Sequence, residues 1–248
     1  MRAVLVAWVA SGAALVAQRS ASLPSDPARM VAMQHHFGDV SLVLEAVIRG
    51  DLGAIREPAS RLATLKTPPG VPAASLQYVA AISEAGRRAM NAQTIQASAA
   101  AAASLVRQCG ECHLASSVRP VPTTVARPDV GGVVGHMLDH QRAADQLLQG
   151  LVIPSPELWK IGAQTLLASP LKRAELPSDP RLTREVQASE QAVHDIAAEG
   201  VEANTLTQRA NNYGQLIAAC SARPVSISSQ NSRLPLSSPR MVASRRAA

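Results

Sequence analysis

The sequence predicts an all-α fold, built as two tandem four-helix bundles with a haem site at the end of the first. Three observations lead there. The chain is rich in alanine and carries only five aromatic residues (Trp8, Phe37, Tyr78, Trp159 and Tyr213) among 248, which suits helices and gives a β-sandwich little to pack. Apolar residues recur three and four apart over long stretches, the mark of helices with one buried stripe. The second half of the chain also repeats the apolar pattern of the first.

The elements follow in order. Met1-Arg2 and the apolar run Ala3 to Ala17 have the charged and hydrophobic regions of an export signal, too short and poorly flanked for a transmembrane span. Residues 1–21 are therefore expected to be a signal peptide, cleaved near Ala17 or Ala21. Leu23-Pro24-Ser25-Asp26-Pro27 breaks the chain before the first helix, about Ala28 to Arg49, whose stripe is Met30, Met33, Phe37, Val40, Leu44 and Val47. Gly50 stops it and Asp51 caps the next, which runs to about Leu65. The loop Thr67 to Pro72 leads to a third helix, about Ala73 to Met90, and a fourth, about Ala92 to Cys112. Short connections make these four antiparallel neighbours.

Residues 115–130, with Pro120, Pro122 and Pro128, read as an interdomain linker between bundles at 28–114 and 131–221. Setting Met33 on Met137 sets His36 on His140, Leu44 on Leu148, Asp51 on Ser155, Ala59 on Ala163 and Leu62 on Leu166. Ser155-Pro156-Glu157 is itself a helix start, placed where Asp51 predicts one. About seven extra residues around Pro170 to Pro180 then bring Cys109 onto Cys220 and Leu105-Val106 onto Leu216-Ile217. The pattern is that of an internal duplication.

The chemistry of the chain concentrates in Cys109-Gly110-Glu111-Cys112-His113. C-x-x-C-H is the spacing that attaches c-type haem: two thiols add to the two vinyl groups, and the adjacent histidine becomes the proximal iron ligand. A zinc site would need about four ligands, and the remaining cysteine, Cys220, stands far along the chain with no Cys or His pair beside it. A thioredoxin-type pair would follow a strand and open a helix, whereas this one closes an alanine-rich helical run. A local disulfide would not call for the histidine. In the second copy, Arg223 and Pro224 stand where Cys112 and His113 would fall, so one covalent haem per chain is expected.

On these residues the stretch Ala28 to Leu114 resembles the class II c-type cytochromes, the four-helix cytochromes c prime and their low-spin relatives. The resemblance implies electron transfer for low-spin members and an open iron face, able to meet small gases, for high-spin ones. It also implies a methionine from the first helix as the sixth ligand of low-spin members. In an up-down-up-down bundle the start of helix one lies at the same end as the end of helix four. Met33 is thus the first candidate for the distal position and His36, on the same helix face, the alternative, followed by Met30. Methionine on a bundle stripe also serves as core filler, and the retained pair Met137 and His140 fits either role.

The net charge of +6 and pI of 9.9 are uneven in origin. From residue 222 to 248 the chain carries Arg223, Arg233, Arg240, Arg245 and Arg246 and no acid, which reads as a disordered basic tail. No aromatic-interleaved basic patch points to nucleic acid, and no phosphate loop, Ser-His-Asp order or paired carboxylates point to catalysis. His194 reads as an isolated surface or core histidine and Cys220 as a remnant thiol. The expectation is a periplasmic monohaem electron carrier, not an enzyme, that meets redox partner proteins and has no membrane span in its mature form. Its alternatives are a gas-binding or sensing haem protein, or an interaction module with an ancillary haem.

Overall fold

The computed structural model describes residues 26–122, 130–168 and 171–221. The expected signal peptide, the basic tail and the centre of the expected linker lie outside the described residues. Within them the protein is all-α: eight α-helices, two single 3-10 turns and no strand. Helices α1 (Pro27–Ile48), α2 (Leu52–Ala63), α3 (Leu76–Asn91) and α4 (Ile95–Ala115) make the first array. Helices α5 (Gly132–Val152), α6 (Pro156–Ala168), α7 (Pro180–Val201) and α8 (Leu206–Ser221) make the second.

The helix ends are set by local chemistry. Asp26, Asp51, Thr94, Ser155 and Asp179 each accept a hydrogen bond from a backbone N–H in the first turn that follows, supplying a partner the helix itself lacks. Bonds of the first array recur at fixed offsets in the second. Asp51 caps through the Ala54 N–H and Ser155 through the Leu158 N–H, both at an offset of 104 residues. At the same offset the Arg49, Asp51 amides (bonded to Glu45 and Ala46) match the Ile153, Ser155 amides (bonded to Gln149 and Gly150). Thr94 and Thr205 cap α4 and α8 through the N–H groups of Ala97 and Gln208, now at an offset of 111.

The two arrays share one core. Consecutive helices pack side by side within each array, and α4 packs along α8 as extensively as along α3. Buried residues of both halves form a single cluster, with Leu62, Leu105 and Val106 of the first joined to Leu147, Trp159 and Ile217 of the second. Each fully buried Leu, Ile or Val contributes about 1.5–3 kcal/mol. At the α4–α8 crossing a Cβ on Gly214 would stand 3.2 Å from the Cβ of Ala103, so alanine and glycine set a close approach. Ala103 and Gly214 are themselves 111 residues apart, the offset at which Thr94 and Thr205 cap their helices. Trp159 is buried and its indole N–H donates to the Gly200 carbonyl at 2.7 Å, tying α6 to the end of α7.

Some boundaries differ from the sequence reading. Helix α4 begins at Ile95, after its Thr94 cap, and not near Ala92, and it continues to Ala115, three residues beyond the expected end at Cys112, because the alanine-rich run meets no breaker before Ser116-Ser117. The third helix opens as a 3-10 turn, Ala73–Ser75, before becoming regular at Leu76.

Candidate functional site

Cys109, Cys112 and His113 lie on the last turns of α4. Spacings of three and four put all three on one face of the helix. The face is held from two directions. Ser75, buried at the start of α3, shares a hydrogen bond of 2.8 Å with Ser116, and Ser116 lies 4.0 Å from the Cys112 sulfur. On the other side the turn meets the second array. A Cβ on Gly110 would collide with the carbonyl oxygen of Leu151, so glycine inside the motif lets α4 approach the end of α5. Arg107 and Glu111 form a half-buried ion pair of 2.7 Å along the flank of the same turn.

That approach orients His113. Its Nδ1 lies 2.7 Å from the carbonyl oxygen of Val152, the last residue of α5. A carbonyl can only accept, so Nδ1 carries the proton and Nε2 keeps its lone pair, the tautomer that a metal-bound imidazole requires. Burial lowers the pKa of His113, outweighing the Val152 hydrogen bond, and keeps the ring neutral. The thiols are tuned the other way. Desolvation, with a smaller contribution from Cys112, pushes Cys109 up to about 12. Burial likewise raises Cys112 against the hydroxyls of Ser116 and Ser75. Protonated thiols of this kind are poor redox dithiols, whose attacking cysteine has a lowered pKa. The three residues, presented on one helix face with the histidine tautomer fixed, fit the attachment of a c-type haem.

The candidates for the distal position lie on the first turns of α1. Met33 and His36 are half-buried and Met30 is exposed, and burial lowers the pKa of His36. Burial on α1 becomes continuous only from Val40 onward. Arg29 donates to the Gly70 carbonyl at 3.2 Å, joining the start of α1 to the loop that leads to Ser75. The start of α1 and the end of α4 are thus linked through that loop, as the antiparallel order of helices requires. No hydrogen bond or ring contact among the described residues joins Met33 or His36 to His113.

Their counterparts in the second half have separate fates. Met137 is exposed, whereas His140 is buried among other polar groups. His136 and His140 on α5 converge with Glu190 and His194 on α7, and burial, helped by the neighbouring His136, pushes His140 down to about 4. Sequence reasoning missed this group, treating His194 as isolated. The available signal was a pair of four-residue spacings, His136 to His140 and Glu190 to His194, each putting two ligand-type side chains on one face. Cys220 stands exposed on the last turn of α8 as a free thiol. Comparison with protein-family models, curated proteins and solved structures returns no match to this chain.

Proposed function

We propose that the protein is a monohaem c-type cytochrome that carries single electrons between partner proteins outside the cytoplasm. The observation that carries this reading is the hydrogen bond from His113 to Val152, added to the C-x-x-C-H spacing. A histidine following a C-x-x-C pair, held as the Nε2 lone-pair tautomer by a backbone carbonyl, is arranged as an axial ligand. Haem, when bound, supplies the one-electron iron couple.

This chain's residues then have distinct tasks. Cys109 and Cys112 would hold the haem through thioethers, each thiol adding its S–H across a vinyl group. His113 would supply an iron ligand through Nε2, while the Val152 carbonyl holds the ring against rotation and raises its basicity. Met33 would be the second iron ligand, with His36 the alternative. A thioether favours reduced iron more than imidazole does, so the choice between them sets the potential. The two tandem bundles are read as copies of one unit, the second of which has lost its haem motif.

The test is maturation of the chain in a host with a c-type assembly system, followed by mass spectrometry and optical spectra with and without carbon monoxide. One haem per chain is expected, abolished as a doubly attached species by Cys109→Ala or Cys112→Ala and retained in Cys220→Ala. Met33→Ala should turn a low-spin iron into one that binds carbon monoxide readily, and His36→Ala should not. The opposite pattern moves the assignment to His36. Ready carbon monoxide binding by the unaltered protein replaces electron transfer with gas binding, and a haem-free product rejects the reading.

A further inference from the structure

We infer that the second half of the chain holds a zinc-class divalent transition-metal ion, bound by His136, His140 and Glu190 where α5 faces α7, with His194 beside Glu190. The site is separate from the C-x-x-C-H turn and does not rest on the haem reading.

Its geometry is that of a ligand set. The Glu190 Oε1 atom lies 3.0 Å from His136 Nε2, 3.7 Å from His140 Nε2 and 3.2 Å from His194 Nε2. Zinc bound to nitrogen and carboxylate oxygen at about 2.0–2.1 Å in a tetrahedron separates its ligand atoms by about 3.4 Å, and the three distances bracket that value. The ligand atoms of His136, His140 and Glu190 all lie within 4.8 Å of one another, and His194 stands beside them through its approach to Glu190 alone. The four side chains are largely buried, His136 the most, at 6% exposed, and His140 next, at 10%.

The second observation is that these atoms do not satisfy one another. Glu190 Oε1, His140 Nε2 and His194 Nε2 are all buried without a hydrogen-bond partner, although they are near neighbours. Only His136 makes a bond, to the other carboxylate oxygen at 3.1 Å. Buried polar atoms left without a partner are costly. An ion among His136, His140 and Glu190 would satisfy Glu190 Oε1 and His140 Nε2 and compensate the buried carboxylate charge. Two imidazoles and one carboxylate are borderline donors, which select zinc and its neighbours over calcium or magnesium. Three protein ligands leave a fourth position open to water or another ligand. Glu190 and His194 also line an open cleft of about 330 Å³ with Leu171, Leu176, Gln187 and Gln191, which gives an ion its way in.

The test uses the full-length chain, free of any affinity tag, stripped with chelator, reloaded with zinc and dialysed. Elemental analysis should find one zinc per chain, and X-ray absorption at the zinc edge should show only nitrogen and oxygen neighbours. Glu190→Gln, nearly the same shape, and His140→Ala should each weaken zinc binding at least about tenfold, as loss of even a supporting contact does at such sites. His35→Ala, on the exposed start of α1, should not. No retained zinc in a chain of unchanged helicity, sulfur neighbours (which would point to Cys109 and Cys112), or binding untouched by Glu190→Gln would each overturn the assignment.

Discussion

At the scale of single residues, two glycines in helices of the first array should respond to alanine in opposite ways. A Cβ on Gly110 would run into the Leu151 carbonyl, so Gly110→Ala must push α4 away from the end of α5. Denaturant unfolding should show a loss of about 1–3 kcal/mol, the usual cost of overpacking. Gly38 has nothing within 4 Å of its Cβ direction, and Gly38→Ala should add about 0.5–1 kcal/mol by removing backbone freedom from the unfolded chain. If both substitutions stabilised, the α4–α5 approach would be looser than described, and the His113 to Val152 bond with it. The ligand-type residues of the C-x-x-C-H run were legible in the sequence because the chemistry fixes their spacing on a single helix. The Val152 carbonyl was not, since any backbone carbonyl can accept and only tertiary packing decides which one does. The group around Glu190 was half legible. Each four-residue spacing shows one face of one helix, but the meeting of two faces 50 residues apart depends on how α5 and α7 are set against each other.

Helices were legible where caps and breakers speak plainly. Asp51 and Ser155 start α2 and α6 where they were expected, because a side-chain acceptor before an apolar stripe has few other uses. The contact between α4 and α8 was hidden. Its surface is made of Ala99, Ala103 and Gly214, small residues that in a sequence look like helix formers or filler, with no sign of the partner they admit. That surface makes a prediction at the level of the element. Ala103→Leu inserts a side chain at the crossing, against Gly214, and should cost about 1–3 kcal/mol in denaturant unfolding, whereas Ala97→Leu, exposed on the first turn of α4, should change stability by less than about 0.5 kcal/mol. Equal effects at the two positions would mean that α4 does not meet α8 along this line.

For the whole molecule, the reciprocal contacts decide whether the halves are independent. The last helix of the first array, at Gly110 and His113, leans on the α5–α6 corner at Leu151 and Val152. The last helix of the second array, at Ser221, comes to the α1–α2 corner at Gly50, where a Cβ would stand 3.8 Å from the Ser221 carbonyl. Ser221 is 111 residues beyond Gly110, so each array's last helix meets the first corner of the other array at a matching position. Between them α4 and α8 bury their small-residue faces on each other. Two tandem bundles joined only by a linker would melt as two units, each able to fold alone. A shared core couples them, because α4 packs along α8 as extensively as along α3 and buried residues of both halves form one cluster. Calorimetry of the full chain should therefore give one transition whose calorimetric and van't Hoff enthalpies agree. A chain ending at residue 122 should melt lower and over a wider range than the full protein, with its α4 face uncovered. Two resolved transitions, or a shortened chain that keeps the midpoint of the whole, would show that each array is a domain in its own right and that the α4–α8 contact adds little.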